Sequence, residues 1–320
     1  MLWILLLMAA TGAAPTQIEV APGEGLTVLR EGPVGDLPVV LVPGLSGSYY
    51  GFRHLTPLLH AQGRETVIVE PLAVGESARP GDADYTLTAQ AGRLAAVLDQ
   101  LEIDRALFVA QGVGGGMVFR LAAERPDLVA GFVSIEGGPA EIAISPDVRS
   151  SLTIAKGVAK LGGRRVLRDR FADRLRQGSG DAGWVDRRTV GRYFRGTGRD
   201  INATLDAMSA MTRQTEPWTM APRLDEIKIP VLVLRGTAPH KGQLSDADLA
   251  VMRTGLAMVE IRDVAGAGHF IQEEQPEAVA GAVADLVRRI GGGESPSTDT
   301  ALVPGDDGRA DPVEAGDDRQ

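Results

Sequence analysis

The chain has 320 residues, of which 44% are hydrophobic and 23% charged, enough apolar material to bury a substantial core and too much for a disordered protein. Its formal charge of −9 is concentrated in the last thirty residues, which hold eight acids against two arginines and leave only about −3 for the rest. That distribution gives no electrostatic case for nucleic acid or for an anionic membrane surface.

Cysteine is absent, which excludes a disulfide framework and a thiol nucleophile. Leu2 to Met8 is an unbroken apolar run followed by small residues to Ala14, but no Lys or Arg precedes it. Residues 1–16 therefore read in two ways. They are a weak secretory signal, placing the protein outside the cytoplasm or in a periplasm, or the disordered leader of a cytoplasmic protein. The run is too short to span a bilayer, so no stable membrane span is expected.

Two short runs, Ile18 to Val20 and Leu26 to Leu29, flank Pro22-Gly23-Glu24-Gly25 and predict a hairpin. Pro38 to Val42 is a compact β-branched run that ends at Pro43-Gly44-Leu45. A helix is expected over Phe52 to Ala61, a strand over Thr66 to Val69, and then the loop PLAVGESARP. Tyr85 to Leu101 has apolar spacings of three and four and predicts a helix. Leu107 to Ala110 predicts a strand that breaks at a glycine cluster, with an apolar helix following to Pro126. Gly131 to Ile135 is a further strand, ending at Glu136-Gly137-Gly138-Pro139. From about Ala140 to Ala221 the chain turns helical and arginine-rich, without a strand-like run. Strands resume at Ile229 to Leu234 and Met258 to Val264, and Pro276 to Ile290 closes as an amphipathic helix. Residues 291–320 have the Gly, Pro, Ser and Asp content of a disordered acidic tail. Alternation of strand and helix at this spacing argues for an α/β fold with a mostly parallel sheet covered on both faces.

The stretch ALFVAQGVGGGMVFRLAA, residues 106–123, is a strand, a sharp turn and a helix, and it resembles the nucleophile elbow G-x-S-x-G of the α/β-hydrolase family. In that register Ala110, Gln111, Gly112, Val113 and Gly114 occupy the motif, and Gly112 stands where the serine should be. Pro43-Gly44-Leu45 is similar to the family's oxyanion loop, with Pro43 in place of the usual histidine. Pro230 to Gly236 matches its Pro-x-Leu-x-x-x-Gly strand, and Gly266-Ala267-Gly268-His269-Phe270 its base-bearing loop. The resemblance covers roughly residues 17–290 and implies an α/β-hydrolase fold, with a helical cap at about 140–221 inserted after the sixth strand.

It implies a site as well. His269 takes the position of the general base, and the backbone N–H groups of Leu45 and Val113 that of an oxyanion hole. The acid usual after the seventh strand is missing from Thr237-Ala238-Pro239-His240. Some haloalkane dehalogenases carry theirs at the end of the sixth strand, where Glu136 stands, so Glu136 is expected either to orient His269 or to cap a neighbouring loop. His54, His60 and His240 have no such context and read as structural or solvated. Ser46 and Ser48, on the oxyanion loop, are weak alternatives for the missing hydroxyl. No metal or cofactor is implied, since no His/Asp/Glu cluster has ligand spacing in the sequence.

Two functions stay open on this reading. One is a hydrolase-like enzyme using a His269–Glu136 dyad on a small ester, lactone or related substrate without a covalent serine intermediate. The other is an inactive pseudo-hydrolase that binds a small apolar ligand or a protein partner. Substrate identity and oligomeric state are not legible in the sequence.

Overall fold

Four β-branched or apolar runs of this chain are buried at every position: Val39–Val42 (β3), Thr66–Val69 (β4), Ala106–Gln111 (β5) and Val129–Ile135 (β6). A strand with apolar residues on both faces needs cover on both, and helices supply it. These relationships come from a computed structural model, which describes residues 13–144 and 149–292. Most of the expected leader and acidic tail lie outside the described residues.

The remaining strands are Thr16–Glu19 (β1), Gly25–Glu31 (β2), Val231–Gly236 (β7) and Val259–Val264 (β8), and the sheet order is β1-β2-β4-β3-β5-β6-β7-β8. β1 and β2 form the expected antiparallel hairpin, β2 joins β4 antiparallel, and every other pairing is parallel. Strand alternation divides the core in two. Val40, Val42, Phe108 and Ala110 share one cluster with Leu87–Gln100 (α2) and Val113–Glu124 (α3). Val39, Leu41, Leu107 and Val109 share the other with Leu55–Ala61 (α1) and Pro276–Gly292 (α10). The expected helix over Phe52 to Ala61 is shorter than the sequence suggests, because Tyr49–Phe52 forms a separate 3-10 turn before α1.

Between β6 and β7 the described chain forms four helices, Arg149–Lys160 (α4), Arg164–Gly178 (α5), Arg187–Arg199 (α6) and Ile201–Met211 (α7). Both ends of this insert are tied to α3 by one side chain. The fully buried Arg120 donates to the carbonyls of Ala140 (3.2 Å) and Trp218 (3.1 Å) and pairs with the carboxylates of Glu141 (3.1 Å) and Glu216 (3.5 Å). Glu216 in turn accepts from the Leu87 and Thr88 N–H groups at the start of α2, satisfying orphan donors of that helix. The chain beyond β7 supplies Asp246–Gly255 (α8) and, after β8, the short helix Ile271–Glu274 (α9). Among the described residues no helix is long and apolar enough to cross a membrane.

Candidate active site

β5 ends at Gln111 and α3 begins at Val113, so Gly112 alone makes the turn, at φ 55° and ψ −124°. A residue with a Cβ is strained there, and glycine is not. The elbow is anchored from below, where the Gly112 N–H donates to the Ile135 carbonyl at 2.8 Å.

The sequence reading assigned no role to the residue before the turn. Gln111 is 3% exposed, and its side-chain carbonyl accepts from the Gly44 N–H while its amide donates to the His269 carbonyl, both at 3.2 Å. One side chain thus ties the oxyanion-type loop and the histidine loop to the elbow between them. Among the described residues neither the Leu45 nor the Val113 N–H donates to a protein acceptor. Ser48 is buried with its hydroxyl unpaired, and no hydrogen bond joins Ser46 or Ser48 to His269.

His269 follows β8 in a loop held by the insert. Its N–H donates to the Gly178 carbonyl at 2.7 Å, and its ring stacks edge-on against Phe270 with centroids 5.3 Å apart. Nε2 faces the elbow, lying 3.0 Å from the point that a Cβ on Gly112 would occupy. Nδ1 points the other way, sealed from solvent and without a hydrogen-bond partner, although part of the residue remains accessible. Burial pushes the imidazolium down to about 4, helped by His240 and Arg174 and opposed by the Gly242 backbone, which favours the protonated ring. The ring is therefore neutral near pH 7.

The expected pairing of Glu136 with His269 is corrected by the structure. Glu136 follows β6 with a positive φ of 47°, and its buried carboxylate turns to the loop after β7. Oε1 accepts from the Gly236 N–H at 2.5 Å and Oε2 from the Leu244 N–H at 3.0 Å, while His240 Nε2 stands 3.4 Å from Oε2. Two backbone donors thus take up the carboxylate, with the His240 ring beside it, which is the expected loop-capping alternative. Burial raises the Glu136 pKa, against the pull of the Leu244 and Gly236 N–H groups and of His240. Asp246 offers no substitute, since it is exposed and lies 3.6 Å from Arg235.

His240, read as structural or solvated, has a side chain with no exposed surface and belongs to the site. Glu136, His240 and His269 each bring one metal-ligating atom within 4.8 Å of the others. They stand beyond the ends of β6, β7 and β8, so no local spacing in the sequence could reveal the cluster.

Comparison with known proteins places the fold among known families. A haloalkane dehalogenase of Psychrobacter cryohalolentis is 34% identical over 103 residues, covering 32% of this chain and 34% of that protein, so the chain spans about a third of its length. A putative 2-succinyl-6-hydroxy-2,4-cyclohexadiene-1-carboxylate synthase of Bacillus subtilis is 26% identical over 85% of this chain and 98% of its own. Among solved structures, an epoxide hydrolase without ligand, CorEH, superposes with a TM-score of 0.69 at 19% identity, over 87% of this chain and 99% of that one, which shows a shared fold. The sequence model of the alpha/beta hydrolase fold family matches residues 38–276, three quarters of the molecule, and the chain belongs to that family.

Proposed function

We propose that this chain is a hydrolase-type enzyme in which His269 acts as a general base at an elbow that carries no nucleophile. The observation that carries the reading is the approach of His269 Nε2 to Gly112, 3.0 Å from where a nucleophile's Cβ would sit. A base in that place without a hydroxyl beside it takes its proton from water, or from a substrate C–H or O–H.

For a small ester or lactone the steps are as follows. Nε2 accepts a proton from a water at the elbow, and the resulting hydroxide oxygen bonds to the substrate carbonyl carbon. The carbonyl oxygen becomes an oxyanion held by the Leu45 and Val113 N–H groups. Collapse breaks the bond to the leaving oxygen, which recovers the proton from Nε2. Burial and the neighbouring His240 disfavour the charged ring, so the proton is held only transiently and passes readily to the leaving oxygen. The helical insert at 140–221 serves as the cap that shapes the substrate pocket, and its Gly178 carbonyl holds the base-bearing loop.

Two neighbours support hydrolysis as the class of chemistry, because one is named a haloalkane dehalogenase and the other an epoxide hydrolase. The test is turnover of a panel of short-chain 4-nitrophenyl esters and lactones by native protein and by His269→Ala. Activity is expected to fall by about two orders of magnitude or more, as on loss of a general base. Turnover indifferent to the substitution, or native protein that binds the panel without turning any of it over, overturns the proposal.

A further inference from the structure

We infer that Glu136, His240 and His269 form a binding site for a first-row divalent cation of the zinc type, buried beneath the elbow. His240 Nδ1 lies 2.7 Å from the Ala238 carbonyl oxygen, an acceptor only, so Nδ1 carries the proton. In the neutral ring that leaves Nε2 with a bare lone pair. Yet Nε2 points at Glu136 Oε2, 3.4 Å away, and makes no hydrogen bond. A lone pair and a carboxylate oxygen facing each other in a buried site repel unless a positive charge, a second proton on the ring or a bound cation, lies between them.

His269 adds a third atom of the same kind. Its Nδ1 is buried and makes no hydrogen bond, with the Gly242 backbone beside it, and one nitrogen of its ring closes the group in which all three ligand atoms lie within 4.8 Å of one another. The donor set, two imidazoles and one carboxylate, is that of borderline first-row ions and is unsuited to Mg²⁺ or Ca²⁺. A tetrahedral zinc with bonds of 2.0–2.1 Å has ligand-to-ligand edges of about 3.4 Å, the separation already present between His240 Nε2 and Glu136 Oε2. The remaining edges are at most 4.8 Å, and a shift of the His269 ring would close them to the tetrahedral edge length. Supporting contacts of the expected type are in place, since His240 donates its other N–H to a backbone carbonyl and Glu136 is fixed by the Gly236 and Leu244 N–H groups.

Occupancy has a consequence for the base. An ion on His269 Nδ1 places the ring's proton on Nε2, which then faces the elbow as a donor and can no longer accept a proton. Metal binding and general-base action at His269 therefore exclude each other. This coupling rests on the function proposed above, whereas the site itself does not.

The test is isothermal titration of tag-free, chelator-treated full-length protein with Zn²⁺, alongside the visible spectrum with Co²⁺. One equivalent of Zn²⁺ should bind, Co²⁺ should give the intense visible bands of a tetrahedral site, and Glu136→Gln and His240→Ala should each weaken binding at least about tenfold. Circular dichroism of both variants separates loss of ligand from loss of fold, and the Glu136→Gln isostere guards against a His240→Ala variant that fails to fold. Absence of saturable binding, or binding at unchanged affinity in both variants, overturns the site. So does a nitrogen-15 spectrum of the metal-free protein showing a proton on both His240 ring nitrogens together with no Zn²⁺ uptake. Inhibition of ester turnover by Zn²⁺, reversed by chelation, supports the coupling. Zn²⁺ uptake by a protein without turnover upholds the site while the function proposed above fails.

Discussion

Gln111 fixes the elbow to both of its neighbouring loops, and its contribution can be measured apart from the chemistry. Replacement by leucine keeps the bulk of the side chain but leaves the buried Gly44 N–H and the His269 carbonyl without their partner. Each unsatisfied buried group costs roughly 1–3 kcal/mol, so Gln111→Leu should lower the urea midpoint by a corresponding amount and reduce turnover through a misplaced His269. Unchanged stability and turnover would show that the two loops hold their places without it. The residues of the site differ in how far the sequence exposes them. Gly112 and His269 are legible because each lies inside a short motif whose local backbone, a strand followed by a tight turn, is dictated by neighbouring residues. Glu136 is legible as a carboxylate ending a buried strand, but its partner is not, because that choice is made by backbone donors about a hundred positions away. His240 was hidden for the same reason, standing in the loop where an acid was sought.

The helical insert acts on the site through one helix end. The chain leaving α5 supplies the Gly178 carbonyl that accepts from His269 N–H, and the Gly180 and Asp181 N–H groups donate to Glu274, which also accepts from Gly268. The two segments touch backbone to backbone, and glycine permits it. A Cβ on Gly268 would stand 2.4 Å from the Gly180 nitrogen and 2.5 Å from the Gly178 oxygen. Gly268→Ala should therefore force the loops apart, destabilising by about 1–3 kcal/mol and lowering turnover more than the loss of folded protein explains. Thermal melts with activity normalised to folded protein check this, and an alanine variant with native melting and turnover would contradict the contact. The existence and order of these elements follow from apolar runs and glycine or proline breaks. Their ends do so less well, as the separate turn at Tyr49–Phe52 shows, since a 3-10 turn and the start of an α-helix share the same apolar pattern.

The whole fold responds to pH through carboxylates sealed in its interior. Glu70 is fully buried, and burial raises it from 4.5 to about 7 despite the Tyr49 and Glu76 N–H groups that favour its charged form. In the unfolded chain it ionises near 4.5, so between about 4.5 and 7 the native state binds more protons than the unfolded state. Its stabilising contribution is complete below that window and is lost as pH rises through 7, by roughly 3 kcal/mol at most. Glu273, also raised by burial, acts in the same direction. His269, held at about 4, acts in the opposite direction, so the Glu70 contribution is isolated by difference: in urea melts at about pH 5 and pH 8, the stability at pH 8 relative to pH 5 should be lower for the native protein than for Glu70→Gln, whatever its absolute stability. Equal slopes in the two proteins would mean that Glu70 is ionised throughout. His269 is proposed as a base at the elbow turned by Gly112, and Gly112→Ser tests this most directly. A serine there has to adopt φ near 55° and displace the His269 ring by tenths of an ångström, costing on the order of 1–3 kcal/mol, so folding is confirmed first by circular dichroism. The folded variant should react with a fluorophosphonate at residue 112, native protein should not, and the reaction should vanish when His269→Ala is added. A folded Gly112→Ser variant that stays unlabelled, or one labelled equally without His269, would contradict the account.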